Sequence, residues 1–186
     1  LEFTSDISQA DVAIAMDTTF SMDGEIANLR SSFGSIVTQL DEQIADVGFA
    51  VSTFDDFPCG GFGQGDDLPF ILRQRVTTNV NAAQLQINRI GLHAGGDLPE
   101  AGYESLYQLA TGAGIHHCNA VVPPFDPSEN QVVGVADGEI GGVGFRVGSF
   151  PVVIHVTDAT AHEGSVYGGP AASSVDAIDA LTGIRA

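Results

Sequence analysis

Hydrophobic and polar positions fall into blocks along this chain, and the period changes from block to block. Val12-Ala13-Ile14-Ala15-Met16 is an unbroken apolar run closed by Asp17. That is the pattern of a strand buried on both faces of a parallel sheet. From Gly24 to Gln43 the period becomes helical, with Ile26, Leu29, Phe33, Ile36, Val37 and Leu40 on one side. Val47–Phe54 is a second strand, ended by Asp55-Asp56-Phe57-Pro58-Cys59 and a Gly-rich acidic loop over 60–67. Phe70–Thr77 alternates and predicts an antiparallel edge strand. Asn81–Ile90 predicts a helix, with Asn79 or Asn81 as its cap. Pro99 suits the first turn of another helix, running to Leu109 or Ala110 and stopped by Gly112 and Gly114.

The stretch from His116 to Gly148 is rich in Gly and Pro and holds an apolar patch at Val132–Val135. It reads as an insert, spanning about 113–149, longer than an ordinary connection and with room for a hairpin. Pro151–Thr157 is the next core strand, and Ser173–Leu181 a short amphipathic helix. Strands alternating with helices predict an α/β fold: a doubly wound, mostly parallel, Rossmann-like sheet flanked by helices, with one antiparallel edge strand. A chain of 186 residues reads as a single domain over 1–186 with a sizeable core. Ligands of such sheets bind beyond the carboxyl ends of the strands, where the strand order reverses. Asp17 and Asp158 end the two strands expected to flank that point.

Candidate chemistry gathers at the same place. Asp17, Thr19 and Ser21 alternate along the loop after the first strand, so their oxygens can converge. An oxygen-only cluster suits a hard divalent cation, Mg²⁺ or Ca²⁺. The plainer alternatives are that Thr19 and Ser21 cap the following helix, and that Asp97 is a turn acid before Pro99. Charge narrows the partners. Asp and Glu number 24 against 6 Lys and Arg, a net −18, and every basic residue is an arginine. Nucleic acid and anionic membrane surfaces, which need a basic footprint, are excluded as expected partners. No apolar run approaches a membrane span. Neither a GxSxG elbow nor a phosphate-binding P-loop occurs. His116, His117, His155 and His162 offer a rival zinc reading, without HExxH-type spacing.

Three stretches together resemble von Willebrand factor A domains with a metal-ion-dependent adhesion site. Asp17-x-Thr19-x-Ser21 is similar to the DxSxS loop of that family. Gly95-Gly96-Asp97-Leu98-Pro99-Glu100 resembles a segment of integrin β-subunit I-like domains, and Val153–Ala159 resembles the late strand ending in T-D-A or T-D-G. The three occur in family order. The resemblance implies a primary metal site of Asp17, Thr19, Ser21, Glu100 and Asp158, with Asp17 and Asp158 acting through water. It implies a second metal held by Asp97, Glu100, the Pro99 carbonyl and Asp56, although Gly95 stands where the integrin pattern has an Asn. A third site would use Glu25 with the Ser21 and Met22 carbonyls; the plainer role of Glu25 is to favour a helix N-terminus.

The function that the resemblance implies is adhesion: a bound Mg²⁺ or Ca²⁺ with one open position that a partner protein's Asp or Glu carboxylate completes. No bond is broken, so no enzyme is expected. A domain whose ions only stabilise the fold and a metal-dependent hydrolase are the two alternatives. The composition resembles a secreted bacterial member, which implies an extracellular or cell-surface location and a Cys59–Cys118 disulfide. The family's sheet carries at least one strand more than this chain supplies. That sets the expectation that the edge is filled by another segment, or that the parent chain continues past Ala186 from a strand beginning at Ile184.

Overall fold

The first strand, β1 (Gln9–Asp17), lies in the middle of the sheet, with all residues from Ala10 onward buried. The computed structural model describes residues 7–128 and 138–184. The chain continues through α1 (Asp23–Asp41), β2 (Asp46–Phe54), β3 (Ile71–Thr77), α2 (Val80–Asn88) and α3 (Gly102–Thr111). A short hairpin of β4 (Ile115–His117) and β5 (Ala120–Val122) follows, then β6 (Phe150–Val156) and α4 (Ser174–Gly183). The main sheet has the order β3-β2-β1-β6. β1 runs parallel to both β2 and β6, and β3 is antiparallel to β2 at the edge. The fold is therefore α/β with a mostly parallel, helix-flanked sheet and one antiparallel edge strand, as the apolar pattern predicts.

The continuous apolar run of β1 is explained by its two buried faces. Val12, Ile14 and Met16 pack with Val47, Phe49 and Val51 of β2 against Ile26, Phe33 and Val37 of α1 and Ala83 and Ile87 of α2. Phe33 and Phe49 meet edge to face, with ring centroids 5.3 Å apart. On the other face Ala13, Ala15 and Ala50 are small, and Leu109 of α3, the β4–β5 hairpin and Val143–Phe145 close onto them. Each large side chain so buried contributes about 1.5–3 kcal/mol, so both layers hold β1 in place.

Local chemistry sets the boundaries. The Asn79 side chain accepts a hydrogen bond from Ala82 N at the start of α2. A reciprocal capping box of Ser173 and Asp176 opens α4, and Gly112, left-handed at φ 62°, ends α3. Pro99 differs from expectation. It lies outside α3, whose cap is Ala101. The reason is that Glu100 is held extended: its N–H donates to the Thr160 carbonyl at 2.9 Å, and it bridges to Ala161. The segment after β6 thus pulls this loop out of the helix.

Within the insert, β4 and β5 turn at Cys118 and Asn119, both at positive φ (53° and 66°), the conformation that matches hairpin twist. Cys59 and Cys118 form a disulfide with Cα atoms 5.4 Å apart. The far end of the insert is fastened by Arg146, which ion-pairs with buried Asp11 at 2.7 Å and with Asp46 at 2.9 Å. Asp11 also accepts from Arg146 N and Ser149 Oγ, so its buried charge is fully paired. The Val132–Val135 patch lies outside the described residues. Among the described residues no helix is long and apolar enough to cross a membrane.

Candidate functional site

β1 and β6 are neighbours, so Asp17 and the Thr157-Asp158 pair leave the sheet side by side. Asp17 is buried and its two oxygens are divided. Oδ1 accepts from Thr19 N (2.9 Å) and Thr19 Oγ1 (2.7 Å), and Oδ2 accepts from Thr157 Oγ1 (2.7 Å). Ser21 stands in a 3₁₀ turn (Phe20–Met22) ahead of α1, and its Oγ donates to Asp158 Oδ1 at 3.0 Å. Thr19 bridges in parallel to His93, whose N–H donates to the Thr18 carbonyl. That contact brings the 93–100 loop over the carboxyl end of β1. A cleft of about 390 Å³ results, with Thr19, Ser21, Asp97, Glu100 and Asp158 in its wall and Phe20 and Leu98 at its rim.

Glu100 is the unusual member. It is only 4% exposed, and its Oε2 has no hydrogen-bond partner. Burial first, then the neighbouring charges of Asp17, Asp56, Asp55 and Asp97, push its carboxyl up to about 9. A buried carboxylate is costly unless a cation or hydrogen-bond donors pair with it. Gly95, at φ 66°, faces it: a side chain there would start 3.7 Å from Glu100 Oε1 and 3.4 Å from Thr19 Cγ2. An Asn at this position would reach the same cleft, and it is the residue in which the resembled segment differs.

Asp56 is one of the acids whose charge acts on Glu100. It is fully buried; Oδ1 accepts from the Tyr167 hydroxyl (2.5 Å) and Phe57 N (2.6 Å), while Oδ2 is unpartnered. Burial outweighs those hydrogen bonds and pushes its carboxyl up to about 6. Asp56, Asp97 and His162 bring their ligand atoms within 4.8 Å of one another. His162, absent from the resembled site, follows Asp158 closely in sequence. That spacing is the one signal that pointed to it.

A second convergent group, Asp55, Asp67 and His93, was missed entirely. β2 alternates its side chains, so Asp55 and Asp56 leave it toward opposite faces. Asp55 accepts from Thr18 Oγ1 and pairs with His93 Nδ1 at 2.7 Å, and Asp67 accepts from Gln64 N. Every carboxylate there has a partner, so this group braces the 93–100 loop from below. Asp67 therefore faces inward, and the 60–67 loop is tied down by Gln64 to the Gly95 carbonyl and by Asp97 N to the Phe62 carbonyl.

Glu25 is exposed in the first turn of α1 and lines no part of the cleft. The histidines do not gather: each convergent group among the described residues contains one histidine. His155 is half-buried in β6, stacked on Phe54 at 4.7 Å, and His117 Nε2 lies 3.0 Å from the Tyr167 carbonyl. A four-histidine zinc centre is thus not formed. Protein-family models and curated proteins were both compared with the chain, and neither comparison gave a match.

Proposed function

We propose that this domain is a divalent-metal-dependent binding module of the von Willebrand factor A type, in which Mg²⁺ or Ca²⁺ recruits a carboxylate from a partner protein. The carrying observation is Glu100, a buried carboxyl with an unpartnered oxygen in the wall of a cleft that also holds Thr19, Ser21 and Asp158. Hydroxyl and carboxylate oxygens of this kind suit a hard cation. Thr19, Ser21 and Glu100 would hold the ion, with Asp17 and Asp158 orienting water around it. The ion would supply a Lewis-acidic contact for the incoming carboxylate, and the open side of the cleft admits it.

The rim supports a protein partner. Phe20 and Leu98 are 64% and 85% exposed, an apolar pair beside an acidic centre. One metal–oxygen contact alone cannot offset the freedom lost on association, and flanking apolar contacts make up the difference. The acids around the cleft repel a bare anion, so the partner's carboxylate should be flanked by neutral or basic residues. The disulfide fits an oxidising, extracellular setting.

A peptide carrying one Asp or Glu beside apolar and basic residues should bind in Mg²⁺ and not in EDTA. Thr19→Ala should abolish that binding with an unchanged circular dichroism spectrum, and Leu98→Ser should weaken it. Binding that survives EDTA would refute the mechanism. An ion that binds and stabilises the protein while no carboxylate peptide ever binds would assign it a purely structural role.

A further inference from the structure

We propose that Asp56, Asp97 and His162 form a second cation site that takes a borderline transition-metal ion of the Zn²⁺ class in preference to Mg²⁺ or Ca²⁺. The site shares Asp56 and Asp97 with the second metal that the resemblance implies, and takes its third ligand, His162, and its metal preference from outside that set; it rests on the proposed reading of the neighbouring cleft only for its setting.

His162 Nε2 stands 3.2 Å from Asp97 Oδ2 and 3.8 Å from Asp56 Oδ2. The second separation is too long for a hydrogen bond, so Asp56 Oδ2 remains buried and unpartnered while aimed at the imidazole and Asp97. Ligand atoms bound to one zinc at about 2.0–2.2 Å stand roughly 3.3–3.6 Å apart in a tetrahedron. The two separations from His162 Nε2 bracket that range, and all three ligand atoms lie within 4.8 Å of one another.

The ligands are fixed from outside the site, as metal ligands generally are. Asp56 Oδ1 is held by the Tyr167 hydroxyl and by Phe57 N. The His162 ring is packed edge-on by Phe62 (5.2 Å) and Tyr167 (5.4 Å), and its backbone N–H donates to the Glu100 carbonyl. Asp97 N donates to the Phe62 carbonyl, whose segment is anchored through Cys59 to the hairpin. Separate segments of the chain thus present a nitrogen and two carboxylate oxygens to one point. Mg²⁺ and Ca²⁺ prefer oxygen alone, whereas imidazole shifts preference toward Zn²⁺ and its neighbours.

The test uses chelator-stripped protein held in excess Mg²⁺, titrated with Zn²⁺ by calorimetry and with Co²⁺ by visible absorption. The His162 imidazole ¹⁵N resonances are followed by NMR. The expected result is a single Zn²⁺ bound despite the Mg²⁺, with the His162 Nε2 resonance shifted. His162→Gln and Asp97→Asn should each weaken it by about a hundredfold, at least the loss seen when only an outer partner of a metal ligand is removed. Ser21→Ala, in the primary cleft, should leave Zn²⁺ binding intact. An unmoved His162 resonance, equal Zn²⁺ affinity in His162→Gln, or ready displacement of Zn²⁺ by Mg²⁺ would overturn the proposal. Loss of Zn²⁺ binding in Ser21→Ala would place the ion in the primary cleft instead. Peptide binding plays no part in the readout, so the two readings fail separately.

Discussion

In EDTA the protein should lose stability as pH rises from 5 to 9, and Glu100→Gln should remove most of that loss. The buried Glu100 carboxyl is raised from an ordinary 4.5 to about 9 by burial and by the surrounding acids. A raised carboxyl means that the folded state holds its proton more tightly than the unfolded chain does. Its stabilising contribution is complete below about 4.5 and is lost as pH climbs through 9. Each unit of difference is worth about 1.36 kcal/mol, so the loss by pH 8 is on the order of several kcal/mol. Asp56, raised to about 6, adds a smaller loss between pH 4 and 6. A divalent ion changes the direction, because it binds the carboxylate and expels the proton. Mg²⁺ or Ca²⁺ should therefore flatten the pH profile, bind more tightly up to about pH 9, and raise the melting temperature. Glu100→Gln should melt higher than wild type at pH 8 in EDTA and no longer respond to the ion. Thermal melts at several pH values, with and without metal, decide it: a flat wild-type profile in EDTA would contradict the burial argument.

Reducing the Cys59–Cys118 bond should cost about 4 kcal/mol of stability, the loop-entropy expectation for residues 59 positions apart. The local consequence is as informative. Cys59 leads directly into the segment whose Phe62 carbonyl receives Asp97 N, and Cys118 sits at the positive-φ turn of the hairpin. Without the bond the Asp97 loop loses one of its outer supports, and metal affinity should fall along with stability. A Cys59→Ser/Cys118→Ser double variant, compared with wild type by urea denaturation and by metal titration, separates the two effects. An unchanged denaturation midpoint would show that the bond constrains little.

The apolar pattern carried most of the fold because β1 is buried on both faces and α1 on one, and burial of that kind writes its period into the chain. Boundaries moved where tertiary contacts intervened. Pro99 looked like a helix start, but the backbone of Thr160, far along the chain, holds Glu100 extended. Asp17, Thr19 and Ser21 could be read from local spacing, since Asp17 hydrogen-bonds Thr19 within a single turn. Tyr167 and His93 could not. They meet their acids only through loops that cross over the ends of the strands, and neither period nor spacing records such crossings. The 60–67 loop is rich in glycine, yet it is tied down. Gly96 in fact presses against the Gly61 and Phe62 carbonyls, where no side chain would fit.

The central position of β1 also bears on how the molecule assembles in time. Its pairing with β2 joins Gln9 to Asp46, but its pairing with β6 joins Ala10 to Phe150. Contacts so distant along the chain are slow to close, so β6 should dock late, after β1, β2 and the helices over them have formed. Until it does, Asp17 lacks Thr157, and Ser21 lacks Asp158. The ion would then have nothing complete to bind before the final step. A cation that recognises only the finished arrangement should slow unfolding and leave the folding rate nearly unchanged. Stopped-flow refolding and unfolding at increasing Mg²⁺ would show that division, and an accelerated refolding limb would mean that β6 arrives early.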